Sequence, residues 1–304
     1  MRKIPLNPVA YYTRFRDLVD DLAAKYGDQP AISWFSRKQE ESVVSYRQLC
    51  EDVQYLQEAL IDMGLVGKHI AIISENCYEW LLVYFAANYC GSTAVCVDVE
   101  QSDETIRYML AAADTDAIFL SPAYADVCAD FADTTIPQFL LHGKNDQYRT
   151  VRHLIETGAK IRMDGNVNTT VNATVTPDKI ASIVFTSGTT SLAKPVMLSQ
   201  EAILTNASDA IANVKVGQRI FTSLPFYHTY GLTCSVVAML IPGSHLHING
   251  NLKTVVRDLR LSKANTLLTV PLMLEMIHNR IWQSAEESGQ EEKESDRYKK
   301  RTGL

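Results

Sequence analysis

Short apolar runs of β character alternate with helical stretches along most of this chain, and that alternation restricts the fold more than any other feature. The segments "HIAIIS" (69–74), "TAVCVDV" (93–99), "DAIFLS" (116–121) and "PQFLLHG" (137–143) carry little charge and read as buried strands. Between them, "EWLLVYFAANYCG" (79–91) reads as an apolar helix closed by Gly91, and Ser102 opens another with Asp103 and Glu104 at its positive end. Upstream, Ser45 and Gln48 form a capping-box pattern, Leu49, Val53, Leu56 and Leu60 recur at helical spacing, and Gly64 suits a left-handed helix end. Strands separated by helices predict a mostly parallel sheet covered on both faces. Residues 163–178, rich in Asn and Thr, read as an exposed connection. Alternation then resumes, with strands near 180–186, 219–224 and 264–270 and helices near 200–214, 231–241 and 251–262. The expected architecture is α/β, with two successive subdomains. One is built from 69–199 and the other combines 1–68 with 200–304.

Composition narrows the function classes. A net charge of −6 over 304 residues argues against a broad nucleic-acid surface. The six cysteines are scattered without a CxxC pair, which suits reduced thiols in a core better than a disulfide frame or a zinc site. The N-terminal "MRKIPLNPVAYYTRF" has charge but no apolar h-region, and no stretch approaches the roughly 20 apolar residues that span a bilayer. These features lead to a cytoplasmic expectation with no transmembrane segment, and contact with a membrane surface stays open. The last residues read as an almost wholly charged, solvated helix, along one face of which Glu294–Arg297 and Asp296–Lys300 would pair.

The segment "IASIVFTSGTTSLAK" (180–194) carries the chemistry. An apolar strand ends in five hydroxyls, those of Thr186, Ser187, Thr189, Thr190 and Ser191, gathered around Gly188, with Lys194 three residues later. Loops leaving the C-terminal ends of parallel strands are where α/β folds bind ligands. Successive backbone N–H groups, hydroxyls and one ammonium suit the oxygens of a polyphosphate. The spacing is not that of a Walker loop. On composition alone, a polar surface turn accounts for the segment about as well.

The order of residues goes further. "TSGTTSLAK" resembles the phosphate-loop signature of the AMP-forming acyl-CoA synthetase, luciferase and peptide-synthetase adenylation superfamily. "LPFYHTYGL" (224–232) is similar to that family's Leu-Pro-aromatic-aromatic-His motif, and "VSYRQL" (44–49) and "TVPLML" (269–274) fit two further segments. The resemblance covers most of 10–285 and implies the N-terminal part of an adenylate-forming domain. It implies ATP, Mg2+ and coenzyme A, and a carboxylic acid as substrate. Thr186, Ser187, Gly188, Thr189, Thr190, Ser191 and Lys194 would then hold the phosphates, and His228 would lie near the acyl carboxylate. The charged stretch after "VPLMLEMI" resembles the insertion of long-chain enzymes, which points to a fatty acid.

Two departures qualify this. Ala193-Lys194-Pro195 stands where the family has Pro-Lys-Gly, so one backbone donor is missing and φ is fixed. The family's later motifs, including its ribose-binding aspartate and the lysine of its C-terminal lid domain, do not occur in these 304 residues. The chain therefore reads as a truncated domain, expected not to make acyl-CoA at a useful rate alone and to leave an incomplete sheet edge open to self-association. A non-catalytic nucleotide- or acyl-binding protein on the same fold is the alternative. His245 and His247 alternate along a strand and share a face, but no third ligand is identifiable, so no metal site is predicted.

Overall fold

The computed structural model describes residues 8–129, 135–143, 147–167, 171, 175–186 and 193–287. Helix α1 (Phe15–Tyr26) precedes a hairpin of β1 (Pro30–Phe35) and β2 (Glu41–Ser45). Helix α2 (Tyr46–Asp62) then leads into the first α/β run. That run comprises β3 (His69–Ile73), α3 (Tyr78–Tyr89), β4 (Thr93–Cys96), α4 (Asp103–Ala112), β5 (Ala117–Leu120), β6 (Gln138–Leu140) and α5 (Val151–Met163). Next come β7 (Ile180–Thr186), β8 (Lys194–Ser199), α6 (Gln200–Ala212) and β9 (Arg219–Thr222). A π-helix (Tyr230–Val237) runs into a short α-turn, α7 (Ala238–Leu240). The described chain ends with β10 (His245–Ile248), α8 (Val255–Ser262), β11 (Thr266–Leu268) and α9 (Pro271–Glu287).

Two sheets result. The first has the order β6-β5-β3-β4-β7-β8, and the second β11-β9-β10-β1-β2. Within each sheet all pairings are parallel except the last, β7 with β8 and β1 with β2, which are antiparallel hairpins at an edge. The α/β class with parallel-dominated sheets is thus as expected from the alternation. Both edge hairpins went unread in the sequence, as did α1 and α5.

Three apolar layers hold the sheets. A shared core takes Ile32, Ile220 and Leu246 from the second sheet and Ile70, Ala94 and Phe119 from the first. Helix α3 is embedded in this core, and nearly every residue from Tyr78 to Tyr89 is buried. A helix apolar all round is stable only when covered all round, so the composition of "WLLVYFAA" itself demands this central position. A second layer packs Ile106, Met109 and Leu110 of α4 against Ile73, Val95 and Ile118. A third sets Val255 of α8 and Met273 and Ile277 of α9 against Phe221.

The caps follow the sequence closely. Ser45 accepts from the Gln48 N–H at 3.1 Å, while the Gln48 side chain turns outward to Asp52 at 2.8 Å, so only half of the capping box forms. Ser102 caps α4 through the Thr105 N–H at 3.3 Å. Gly64 and Gly91 take φ of +72° and +81°, the left-handed conformation that ends their helices. The paired residues Glu294, Arg297, Asp296 and Lys300 lie outside the described residues.

Candidate active site

The C-terminal ends of the parallel strands of both sheets open toward one region. From the first sheet come Glu75 and Asn76 after β3, Val99 and Glu100 after β4, and Tyr124 after β5. The second sheet supplies Ser223, Pro225 and Tyr227 after β9, and Asn249 and Gly250 after β10. Together they line a cavity of about 210 Å³. Ligands of open α/β sheets bind at such strand ends.

The segment after β9 is shaped by three neighbours. Phe226 is fully buried, and its ring meets Trp80 of α3 edge-on, with centroids 5.6 Å apart. Tyr227 is buried, and its phenol is pushed to a higher pKa, first by burial and then by Asp98 and Glu100, so it stays protonated. His228 is exposed, with its ring 4.7 Å from that of Tyr227. Its carbonyl accepts from the Leu232 N–H at 3.0 Å, where the π-helix begins. Gly231 makes that start possible, because a Cβ there would lie 2.0 Å from the Pro225 carbonyl oxygen. The sequence predicted an ordinary helix over 231–241. The structure instead has eight π-helical residues, whose Val236 and Val237 enter the shared core.

The described residues include the two flanks of the hydroxyl-rich segment. Ser187, Gly188, Thr189, Thr190 and Ser191 lie outside the described residues. Their flanks are defined: Thr186 ends β7, and Lys194 opens β8 as its direct cross-strand partner. Both are exposed. Lys194 therefore begins a strand, where the sequence suggested a loop leading to a helix. The next pair is Phe185 with Pro195, and β8 ends the sheet, an edge position where proline is tolerated.

A second group at the strand ends was not anticipated from the sequence. Glu75 accepts from the hydroxyls of Ser121 at 2.9 Å and Ser74 at 3.2 Å, and lies 3.6 Å from His142 Nε2. Burial raises the Glu75 carboxyl, but His142, backbone hydrogen bonding and Ser121 outweigh it and bring it to about 2. The same contact raises His142, against burial.

The two strand histidines have a different explanation from a metal. Ser33 Oγ bridges His245 Nε2 at 2.8 Å and His247 Nδ1 at 3.0 Å, and the His247 ring stacks on Phe221 at 5.7 Å. Burial foremost brings His247 down to about 4, so a neutral pair joined by one hydroxyl fills this position. Among the described residues, no three His, Cys, Asp or Glu side chains gather as a metal ion requires. Also among them, no helix is long and apolar enough to cross a membrane.

Comparison with known proteins decides the family. The profile of the AMP-binding enzyme family matches residues 19–303. The chain belongs to this family of AMP-binding enzymes. Its relatives include an indoleacetate–CoA ligase of Aromatoleum aromaticum, 27% identical over 81% of this chain and 48% of its own length. A long-chain-fatty-acid–CoA ligase of Bacillus subtilis is 24% identical over 72% of this chain and 43% of its own. The chain thus spans about half the length of the curated relatives it matches. Among solved structures, a long-chain-fatty-acid–CoA ligase of Archaeoglobus fulgidus superposes with a TM-score of 0.73 at 19% identity, over 91% of this chain and 55% of that one. The anthranilate CoA ligase AuaEII, solved with anthranoyl-AMP, gives 0.74 at 15% identity, over 88% and 51%. At such identities these structures establish the adenylate-forming fold.

Proposed function

We propose that this chain carries the phosphate-binding and acid-binding parts of an AMP-forming acid–thiol ligase, acting on a carboxylic acid of the fatty class. The observation that carries the reading is the family match over 19–303 combined with the disposition of two segments. The β7–β8 hairpin presents Thr186 and Lys194, and the segment after β9 presents Tyr227 and His228 beside a cavity of about 210 Å³.

The chemistry asks little of acid–base groups. A carboxylate oxygen of the acid bonds to the α-phosphorus of ATP as the bond from that phosphorus to the bridging oxygen breaks, and pyrophosphate leaves. A thiol sulfur, that of coenzyme A, then bonds to the acyl carbon. AMP leaves with the electron pair of the broken C–O bond, and the thiol proton passes to solvent. Free carboxylates are poor electrophiles, and the adenylate supplies the leaving group. The protein's part is to hold two anions together and to offset charge on the departing pyrophosphate. Lys194 and the donors of 186–191 serve the phosphates, with magnesium arriving as part of the nucleotide substrate. The exposed imidazole of His228, backed by Tyr227, serves the acid.

The preference for fatty acids rests on the likeness to long-chain enzymes, and the relatives also include a ligase named for indoleacetate. A panel of acids in an assay of acid-dependent pyrophosphate release tests both levels. Release with several acids but strongest with long chains supports the whole reading. Release with aryl acids alone overturns the fatty-acid assignment. Calorimetry with ATP and with a non-hydrolysable acyl-adenylate mimic tests the site apart from turnover: binding of both supports the reading, and binding of neither overturns it.

A further inference from the structure

Asn76 joins the two sheets at the candidate site. It stands three residues past Ile73, the last residue of β3, yet its carboxamide is engaged by the second sheet. Asn76 Nδ2 donates to the Leu224 carbonyl at 2.8 Å and to the Asn249 carbonyl at 3.3 Å, and the Phe226 N–H donates to Asn76 Oδ1 at 2.9 Å. Both amide protons and the carbonyl oxygen are in use. Leu224, Phe226 and Asn249 are buried, so their backbone groups need such partners. A second approach reinforces the first. A Cβ on Gly250 would lie 2.1 Å from the Asn76 backbone oxygen, so the loop after β10 rests directly on Asn76. Asn249 is fixed in turn, its side chain donating to Asp258 at 2.7 Å and Thr254 at 2.9 Å on the α8 side.

We propose that Asn76 is the positioning residue for the His228 segment. Its amide clamps the backbone at Leu224 and Phe226, on the near side of Tyr227 and His228, while Gly231 closes the far side. Only a carboxamide combines two donors and an acceptor at this reach. A carboxylate offers acceptors alone, facing two carbonyl oxygens. The first sheet thereby sets where the second sheet's imidazole stands. The consequence for acid use rests on the function proposed above; the clamp itself does not.

The test is histidine-selective NMR on the whole chain, with ring carbons labelled and the His228 signal assigned through His228→Gln. In Asn76→Ala the His228 signal moves or broadens while those of His153 and His278, on α5 and α9, stay in place. Asn76→Asp carries the test if the alanine variant does not fold. Near neutral pH its His228 signal differs from that of the native chain. Below the ordinary carboxyl range near pH 4 the difference shrinks, because the protonated group regains one donor for Leu224 and keeps its acceptor for Phe226. An unmoved His228 signal in a folded Asn76→Ala chain, or a difference in Asn76→Asp that ignores pH, overturns the proposal. In pyrophosphate release, Asn76→Ala raises KM for the acid about tenfold and leaves KM for ATP unchanged; equal changes in both overturn the functional part. A native chain that releases no pyrophosphate, as expected of a part of the domain, moves the functional part to calorimetry with the acyl-adenylate mimic, where an unchanged affinity in Asn76→Ala overturns it; the NMR result judges the clamp by itself.

Discussion

Thr186 and Lys194 face each other as the last pair of the β7–β8 ladder. Their Cα atoms are therefore about 4.5–5.5 Å apart, as in any antiparallel pair, and the ammonium is tethered beside the end of β7. A flexible lysine on a rigid strand start acts as a point charge for phosphate oxygens. Lys194→Ala is expected to raise the apparent KM for ATP by more than that for the acid. A charge-assisted contact is worth roughly 1.5–3 kcal/mol, which corresponds to about 10- to 150-fold. Lys194→Arg should recover part of the loss. Pyrophosphate release measured against each substrate checks this, and an unchanged ATP dependence would show that the hairpin points its charge elsewhere.

His228 should behave in the opposite way. It is exposed, belongs to the second sheet's loop and shares no strand with Lys194. His228→Ala is expected to lower adenylate formation and to change the ranking of acids, with ATP binding by calorimetry little altered. A uniform loss for all acids together with weaker ATP binding would instead mark a collapse of the whole segment.

Two glycines separate crowding from backbone conformation. Gly231 has no room, since a Cβ would meet the Pro225 oxygen at 2.0 Å, whereas Gly64 has open space but a φ of +72°. Gly231→Ala must displace main chain and should cost about 1–3 kcal/mol, as overpacking does. Gly64→Ala should cost about 1–2 kcal/mol from the left-handed conformation alone. Thermal melts would rank them, and the His228 signal discriminates further. It should shift in Gly231→Ala and remain in place in Gly64→Ala.

The parts of this fold that were legible in the sequence are those where burial writes the pattern. Strands β3, β4 and β5 are buried along most or all of their length and read as apolar runs. By contrast β2 and β8 are largely exposed edge strands, and "ESVVS" and "KPVMLS" carry no comparable signal. The π-helical turn was unreadable for a different reason, because its apolar content suits an α-helix equally well and the register is set by the Pro225 carbonyl against Gly231. Of the candidate site residues, Lys194 and His228 sit in local motifs and were singled out by the resemblance of those motifs to the family's. Asn76 could not be, because its partners Leu224 and Asn249 are 148 and 173 residues away and only the packing of one sheet on the other joins them.

The Glu75–His142 pair makes stability depend on pH in a bounded window. Glu75 falls from 4.5 to about 2 in the folded chain, so its contribution is present above about 4.5 and fades as pH drops toward 2. His142 is raised above 6.5, so its contribution is complete below that value and fades as pH climbs through the raised one. Both halves are present together only between about pH 4.5 and 6.5. The side chains are 39% and 37% exposed, so water screens the pair and its worth is about 1 kcal/mol or less. His142→Ala should therefore lose most stability relative to the native chain near pH 5.5, with the two converging as pH climbs through the raised His142 value and as it falls toward 2. Glu75→Gln should show the same window, and the double variant should lose less than the sum of the singles. Chemical denaturation from about pH 2 into the alkaline range provides the measurement. A difference independent of pH would show that Glu75 is held by Ser121 and Ser74, with His142 a bystander.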